Sequence, residues 1–157
     1  MDHQVLNEGM RGGFSMIRKW KEKDLDAVME LWLIGNSEVH SFIPQKYWQQ
    51  NFNEIRRIIP IASTYVYEYQ GQVKGFISVM DGFLMSIFVA ADIRKCGMGL
   101  VLLDCMKQRL DSLTVTVYEK NAEAVRFFIR QKFRVESELT EESTGERQLM
   151  MTWERGK

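Results

Sequence analysis

The stretch Arg94-Lys95-Cys96-Gly97-Met98-Gly99 sets two glycines one residue apart behind two cations. An apolar, β-rich run precedes it and a run with helical spacing follows. A glycine-rich turn of this kind leaves backbone N–H groups unpaired at the positive end of the next helix. That is the chemistry of an anion site, with phosphate the usual guest. Glycine serves because a Cβ would hold the anion away from the backbone; a plain strand-to-helix turn with positive φ would use it equally. Two nucleotide motifs fail on particular residues. A P-loop requires Lys then Ser or Thr after its last glycine, where Leu100 and Val101 stand. A dinucleotide fingerprint requires a third glycine or alanine, where Leu102 stands, and belongs in the first strand-helix unit rather than past mid-chain. The two cysteines, Cys96 and Cys105, have no Cys or His neighbours at zinc-ligand spacing and read as reduced thiols.

The elements that must position this turn follow from periodicity. Met16-Ile17-Arg18-Lys19-Trp20 alternates as a strand, and Leu25, Val28, Met29 and Trp32 recur at helical spacing behind Asp24, a candidate cap. Gly35 and Asn36 then loosen the chain. A second helix starts near Pro44 and carries Tyr47, Trp48, Phe52, Ile55, Ile58 and Ile59. Three strands follow as an antiparallel meander, turning at Gly71 and at Asp81-Gly82. After the glycine turn, Met98, Val101, Leu102, Cys105, Met106 and Leu110 form one helical stripe. A strand ends at Tyr118, a helix opens at Asn121 as its cap, and two strands close the chain around Ser143-Thr144-Gly145. The order β-α-α-β-β-β-α-β-α-β-β implies an α/β fold with a mixed sheet. Met1–Ser15 lacks periodicity and is expected to be a leader or extension, with residues 16–157 as one domain.

At this point the sequence resembles the GNAT N-acetyltransferase superfamily. Its acetyl-CoA motif, Arg/Gln-x-x-Gly-x-Gly/Ala after a strand ending in an aliphatic-x-Val step, matches Arg94 to Gly99 behind Ile87-Phe88-Val89. The family's later Asn-x-x-Ala-x-x-Phe-Tyr segment matches Asn121, Ala124 and Phe127, but Phe128 stands where the Tyr is usual. The resemblance implies a splay between the fourth and fifth strands, around Phe83 to Val89 and Val115. It implies that the backbone of Arg94, Lys95, Cys96, Gly97, Met98 and Gly99 holds the CoA pyrophosphate. The free edge at Ile87, Phe88 and Val89 would pair with the pantetheine amides as an added strand, and an N–H there could polarise the thioester carbonyl. Asn121 and Phe128 would also contact the cofactor.

The implied activity is direct attack by a neutral primary amine, of a small molecule or a protein lysine, on acetyl-CoA. A non-catalytic acyl-CoA sensor, or an interaction module using the aromatic Pro44–Phe52 stretch, are the alternatives. The family's Tyr protonates the leaving thiolate; with Phe128 in its place, Tyr118 is the nearest substitute by sequence, or only an aromatic at the sheet edge. His40, between the first two helices, titrates in the range of a general base, although a loop histidine can be merely structural. Asp81 and Glu119 are further acids near strand ends.

Composition excludes some classes. Lys plus Arg and Asp plus Glu both total 21, so the net charge is zero and the chain is not a general polyanion binder. No apolar run would span a bilayer, and the N-terminus has no signal core. The expectation is a cytoplasmic monomer or homodimer whose partners are acetyl-CoA and an amine, without nucleic acid, membrane or metal.

Overall fold

The computed structural model describes residues 15–157; the expected leader otherwise lies outside the described residues. Seven strands form one sheet in the order β1-β2-β3-β4-β5-β7-β6. They are β1 (Ser15–Lys19), β2 (Ser63–Tyr69), β3 (Gln72–Met80), β4 (Phe83–Val89), β5 (Ser112–Tyr118), β6 (Arg134–Thr140) and β7 (Arg147–Glu154). Helices α1 (Leu25–Val39) and α2 (Gln45–Ile58) cover one face, and α3 (Met98–Lys107) and α4 (Ala122–Arg130) the other. The element order is the one read from the sequence.

Alternation along the strands divides the core in two. Ile77, Leu84, Val115 and Met151 point towards α3 and α4, where Leu102 and Leu103 are fully buried. Burial of a leucine side chain of this size contributes about 1.5–3 kcal/mol. The α3 stripe differs from expectation at one step: Val101 is 41% exposed and Leu103 faces the sheet. On the opposite face Val66 and Phe76 meet Val28, Met29, Trp32 and Trp48.

β4 and β5 are the two parallel neighbours, and they pair only at Phe83 with Thr114 and Leu84 with Val115. The reason lies on the other side of β4. Ser78 of β3 faces Ser86, but Val79 faces Leu84, so Met85 is an extra residue. A bulge of this kind bends its strand and increases local twist. Beyond it, β4 stays on β3 as far as Val89 while β5 stays on β7 as far as Tyr118. The strands part at their C-terminal ends, as the resemblance implied.

Two local expectations are corrected. Asp24 sits at the N-cap of α1 but makes no side-chain cap bond. Its carboxylate instead takes both terminal nitrogens of Arg18, at 2.8 and 3.0 Å, and the Lys21 N–H at 2.7 Å. Burial alone would push the Asp24 carboxyl up; those hydrogen bonds and the Arg18 charge hold it below its ordinary value. Arg18 also meets Glu68 at 2.8 Å, which ties β1, β2 and the entry to α1 together.

Nor does α1 loosen at Gly35 and Asn36; it runs on to Val39. Gly35 is needed for contact. A Cβ built there would lie 2.3 Å from Cδ1 of Phe88, so the missing side chain lets the aromatic ring of β4 seat against the helix backbone. Helix propensity alone would favour alanine by about 1 kcal/mol, but overpacking costs about 1–3 kcal/mol. Gly35→Ala is therefore expected to lower the melting temperature, and Gly35→Ala with Phe88→Leu to recover part of the loss. A single variant melting at or above the parent would show that Phe88 moves aside freely.

Candidate active site

The opening between β4 and β5 is bounded at its base by the Leu84–Val115 pair. On one wall, Ser86 to Val89 are hydrogen-bonded to β3 only, so their other edge faces the gap. Ile87 and Val89 pack towards α3, and Phe88 packs towards α1. The chain then makes one 3-10 turn (Ala91–Ile93) and enters the glycine segment.

Gly97 is the N-cap of α3, at φ +80°, a left-handed conformation that glycine adopts without strain. Gly99 lies in the first turn, where the N–H groups have no intrahelical acceptor. A Cβ at Gly97 would meet nothing within 4 Å, and one at Gly99 only Cζ of Phe127, at 4.0 Å. The outside of the turn is therefore open space faced by backbone. This fits a pyrophosphate, and a larger side chain at Gly99 would fill it. Met98 turns its side chain into the core, so it can contribute only main chain to such a cradle.

The cations behave differently from each other. Arg94 donates to Glu38 of α1 at 2.8 Å and, through Nε, to the carbonyl of Val89 at 3.4 Å. Lys95 and Cys96 are exposed. A cleft of about 750 Å³ runs beside α1 and reaches this segment through Val89 and Arg94. Arg18, Asp24 and Glu68 line it, so its charges are mixed.

The opposite wall carries the residues expected to do proton chemistry. Asn121 caps α4: its Oδ1 accepts from the Ala124 N–H at 3.2 Å. Its amide Nδ2 then reaches Nε2 of His40 at 3.2 Å, and His40 Nδ1 reaches Oδ1 of Asn36 at 3.1 Å. Asn36 Nδ2 in turn donates to the Trp32 carbonyl at 2.9 Å. Because an amide nitrogen can only donate, Nε2 is the acceptor, and Nδ1 carries the hydrogen. His40 is therefore a neutral link between α1 and α4. Burial pushes its pKa down to about 4, against an opposing pull from the Glu141 carboxylate.

Tyr118 ends β5 with its ring against His40 at 5.0 Å and Phe42 at 5.6 Å. Its hydroxyl donates to Oε1 of Glu141 at 2.6 Å. Burial first, then this hydrogen bond and the carboxylate charge, push the Tyr118 phenol far above its usual value. Phe128 lies in the core, its ring 5.0 Å from Phe133 and 5.1 Å from Phe127. Phe127, one position earlier, is the ring that reaches the glycine turn. Asp81 and Glu119 are exposed and stand outside this cluster.

Two residues of the cluster escaped sequence reasoning. Glu141 read only as the end of a closing strand and lies just past β6 in the loop to β7, and Tyr47 read as an apolar helix position. Tyr47 donates to the second oxygen of Glu141 at 3.0 Å. Their meeting spans 94 residues, and no local signal could have announced it. Among the described residues no group of three His, Cys, Asp or Glu side chains could hold a metal. No helix there is long and apolar enough to cross a membrane.

The neutral state of His40 has a pH signature. Its folded pKa is depressed from 6.5 to about 4, so the unfolded chain binds the proton more readily between those values. Stability from this residue is fully present above pH 6.5 and is lost as pH falls towards 4. His40→Gln, which keeps polar groups but does not titrate there, is expected to show a shallower fall in melting temperature over that window. Parallel curves for parent and variant would contradict the neutral assignment.

Comparison with known proteins agrees with this geometry. A model of the acetyltransferase (GNAT) domain family matches residues 27–155. The chain is 33% identical over 140 residues to the peptidyl-lysine N-acetyltransferase YiaC of Escherichia coli K12, covering 88% of this chain and 96% of that protein. It is 26% identical over 120 residues to the peptidyl-lysine N-acetyltransferase YjaB of the same organism, covering 76% and 82%. In three dimensions it resembles the solution structure of apo-form YjaB from Escherichia coli, with a TM-score of 0.77 and 22% identity over 88% of this chain and 97% of that one. It also resembles yncA from Salmonella typhimurium, solved with its cofactor acetyl-CoA, with a TM-score of 0.62 and 16% identity over 91% and 95%. The chain belongs to the GNAT family as an acetyl-CoA-dependent N-acetyltransferase.

Proposed function

We propose that the protein acetylates lysine side chains of other proteins, with acetyl-CoA held between β4 and the start of α3. The observation that carries this reading is the parting of β4 from β5 at the Met85 bulge, directly before the Gly97–Gly99 turn. The lysine assignment draws support from the two relatives named for peptidyl-lysine acetylation. When bound, the donor supplies an activated acetyl thioester.

The chain's own residues then have separable tasks. Amides at the start of α3 hold an anion, and the free edge of Ser86 to Val89 presents N–H and C=O groups in strand geometry. The Asn36–His40–Asn121 series holds α1 against the cap of α4 across the opening. His40 is a positioning residue here, because an imidazole with a pKa near 4 whose Nε2 already accepts a bond is a weak base. Tyr118 likewise keeps its own proton and donates a hydrogen bond to Glu141, so it holds that carboxylate in place instead of acting as an acid. No side-chain acid is required, since a thiol with a pKa of about 8.5 leaves readily as thiolate.

Two experiments test this. CoA is expected to raise the melting temperature of the parent, and Gly99→Glu to weaken CoA binding by at least about tenfold. Its effect on the free protein should be small, because only Phe127 lies near that position. Thiol release from acetyl-CoA, measured with a terminally blocked lysine peptide, its norleucine counterpart, a peptide with only a free α-amine and a small diamine, should be strong for the lysine peptide alone. Turnover confined to the diamine or the α-amine would overturn the lysine assignment, and CoA binding by Gly99→Glu equal to the parent's would overturn the cradle.

A further inference from the structure

Glu141 is a half-buried carboxylate held entirely by neutral groups. Tyr118 and Thr144 each donate to Oε1 at 2.6 Å, and Tyr47 donates to Oε2 at 3.0 Å. Elsewhere among the described residues, carboxylates that accept side-chain hydrogen bonds, Asp24, Glu38, Glu68 and Asp92 among them, take them from an arginine or lysine. Among the described residues no Lys or Arg nitrogen lies within 4.0 Å of Glu141. A carboxylate withdrawn from bulk water ordinarily acquires a counter-ion. Here Oε1 has both lone pairs used and Oε2 has one left.

The surroundings suit a particular cation. The rings of Phe42 and Tyr118 meet at 5.6 Å, and Tyr47 packs on Trp48 at 4.9 Å. This aromatic rim already holds one ammonium of the chain itself: Nζ of Lys120 stands 5.5 Å over the Phe42 ring. Aromatic faces attract an ammonium and shelter its methylenes. The cluster also sits on the α1–α2 side of the opening, away from α3, at the end of β5.

We propose that Glu141 is the specificity-determining residue for the acceptor: its carboxylate draws in the acceptor's terminal nitrogen as an ammonium, which gives its extra proton to water before the neutral amine attacks, while the Tyr47 and Phe42 rings flank the alkyl chain. This rests on the reading of the protein as a lysine acetyltransferase and assigns the residue that selects for lysine. The three hydroxyls fix the carboxylate beforehand, so little rotamer freedom remains to be lost on binding. Tyr47 comes from α2 and Tyr118 from the end of β5, so the carboxylate is fixed only when those two elements are in place.

The test uses the full chain loaded with CoA and Nα-acetyl-lysine amide as probe, with its neutral norleucine analogue as control. Glu141→Gln is expected to weaken lysine-probe binding and raise its KM at least tenfold. At saturating acceptor kcat should change little, and the CoA thermal shift should match the parent's. Glu141→Asp should fall between, and Tyr47→Phe should raise KM about two- to threefold with the carboxylate intact. The norleucine analogue should bind parent and Glu141→Gln alike. Equal binding of the lysine probe by parent and Glu141→Gln, including none by either, overturns the inference. So does a variant that melts earlier with unchanged KM, because Glu141 would then only tie the β6–β7 loop to α2. If the parent binds the lysine probe through Glu141 yet acetylates no lysine peptide, the anchor stands and the lysine acetyltransferase reading fails.

Discussion

β4 and β5 touch through two residue pairs and then diverge, and most of what this molecule can do depends on that divergence. Had Met85 not been an extra residue, β4 would have continued beside β5, and a closed parallel pair has neither a free edge nor a gap. The bulge sacrifices ladder hydrogen bonds between the two strands. The compensating order comes from outside the pair: β3 holds β4 to its end, β7 holds β5 to its end, and Phe88 is seated against Gly35 of α1. The free edge is therefore rigid although one side has no strand partner. A rigid edge suits a reaction whose rate comes largely from holding two reactants in position.

The sequence made the strand and helix order legible because each element announces itself locally. Alternation marks the meander, helical spacing marks α1 to α4, and Asn121 three residues before Ala124 marks a cap that the structure contains. The glycine turn was equally legible, since positive φ at Gly97 is a local demand. Most of the residues misread answer to partners far along the chain. Gly35 looked like a helix end because the ring that requires it is Phe88, more than fifty positions on. Asp24 looked like a cap because its side chain turns back to Arg18 of β1, which Glu68 of β2 also holds. His40 kept the titration range of a free imidazole until Asn36 and Asn121 enclosed it. Glu141 read as the end of a closing strand, and nothing at positions 47 or 118 points to it.

The contacts that bridge the opening have a chemical character of their own. Asn36, His40 and Asn121 join α1 to α4 through neutral groups, and Tyr47 and Tyr118 meet across Glu141 as hydroxyl donors. Apart from the buried Arg18–Asp24 pair, many ion pairs lie on the surface, as with Arg155 and Asp111, Arg134 and Glu154, and Arg56 and Asp26. Screening by salt acts on interactions between exposed charges and much less on short, half-buried hydrogen bonds, whether between neutral groups or from a hydroxyl to a carboxylate. Rising ionic strength should thus strip away the surface pairing while leaving the two walls held together as before. The half-buried side of the cleft is little coupled to the ionic composition of its surroundings, and the salt dependence of turnover falls on the charged ligands arriving there and on the exposed Arg94–Glu38 pair beside the glycine turn.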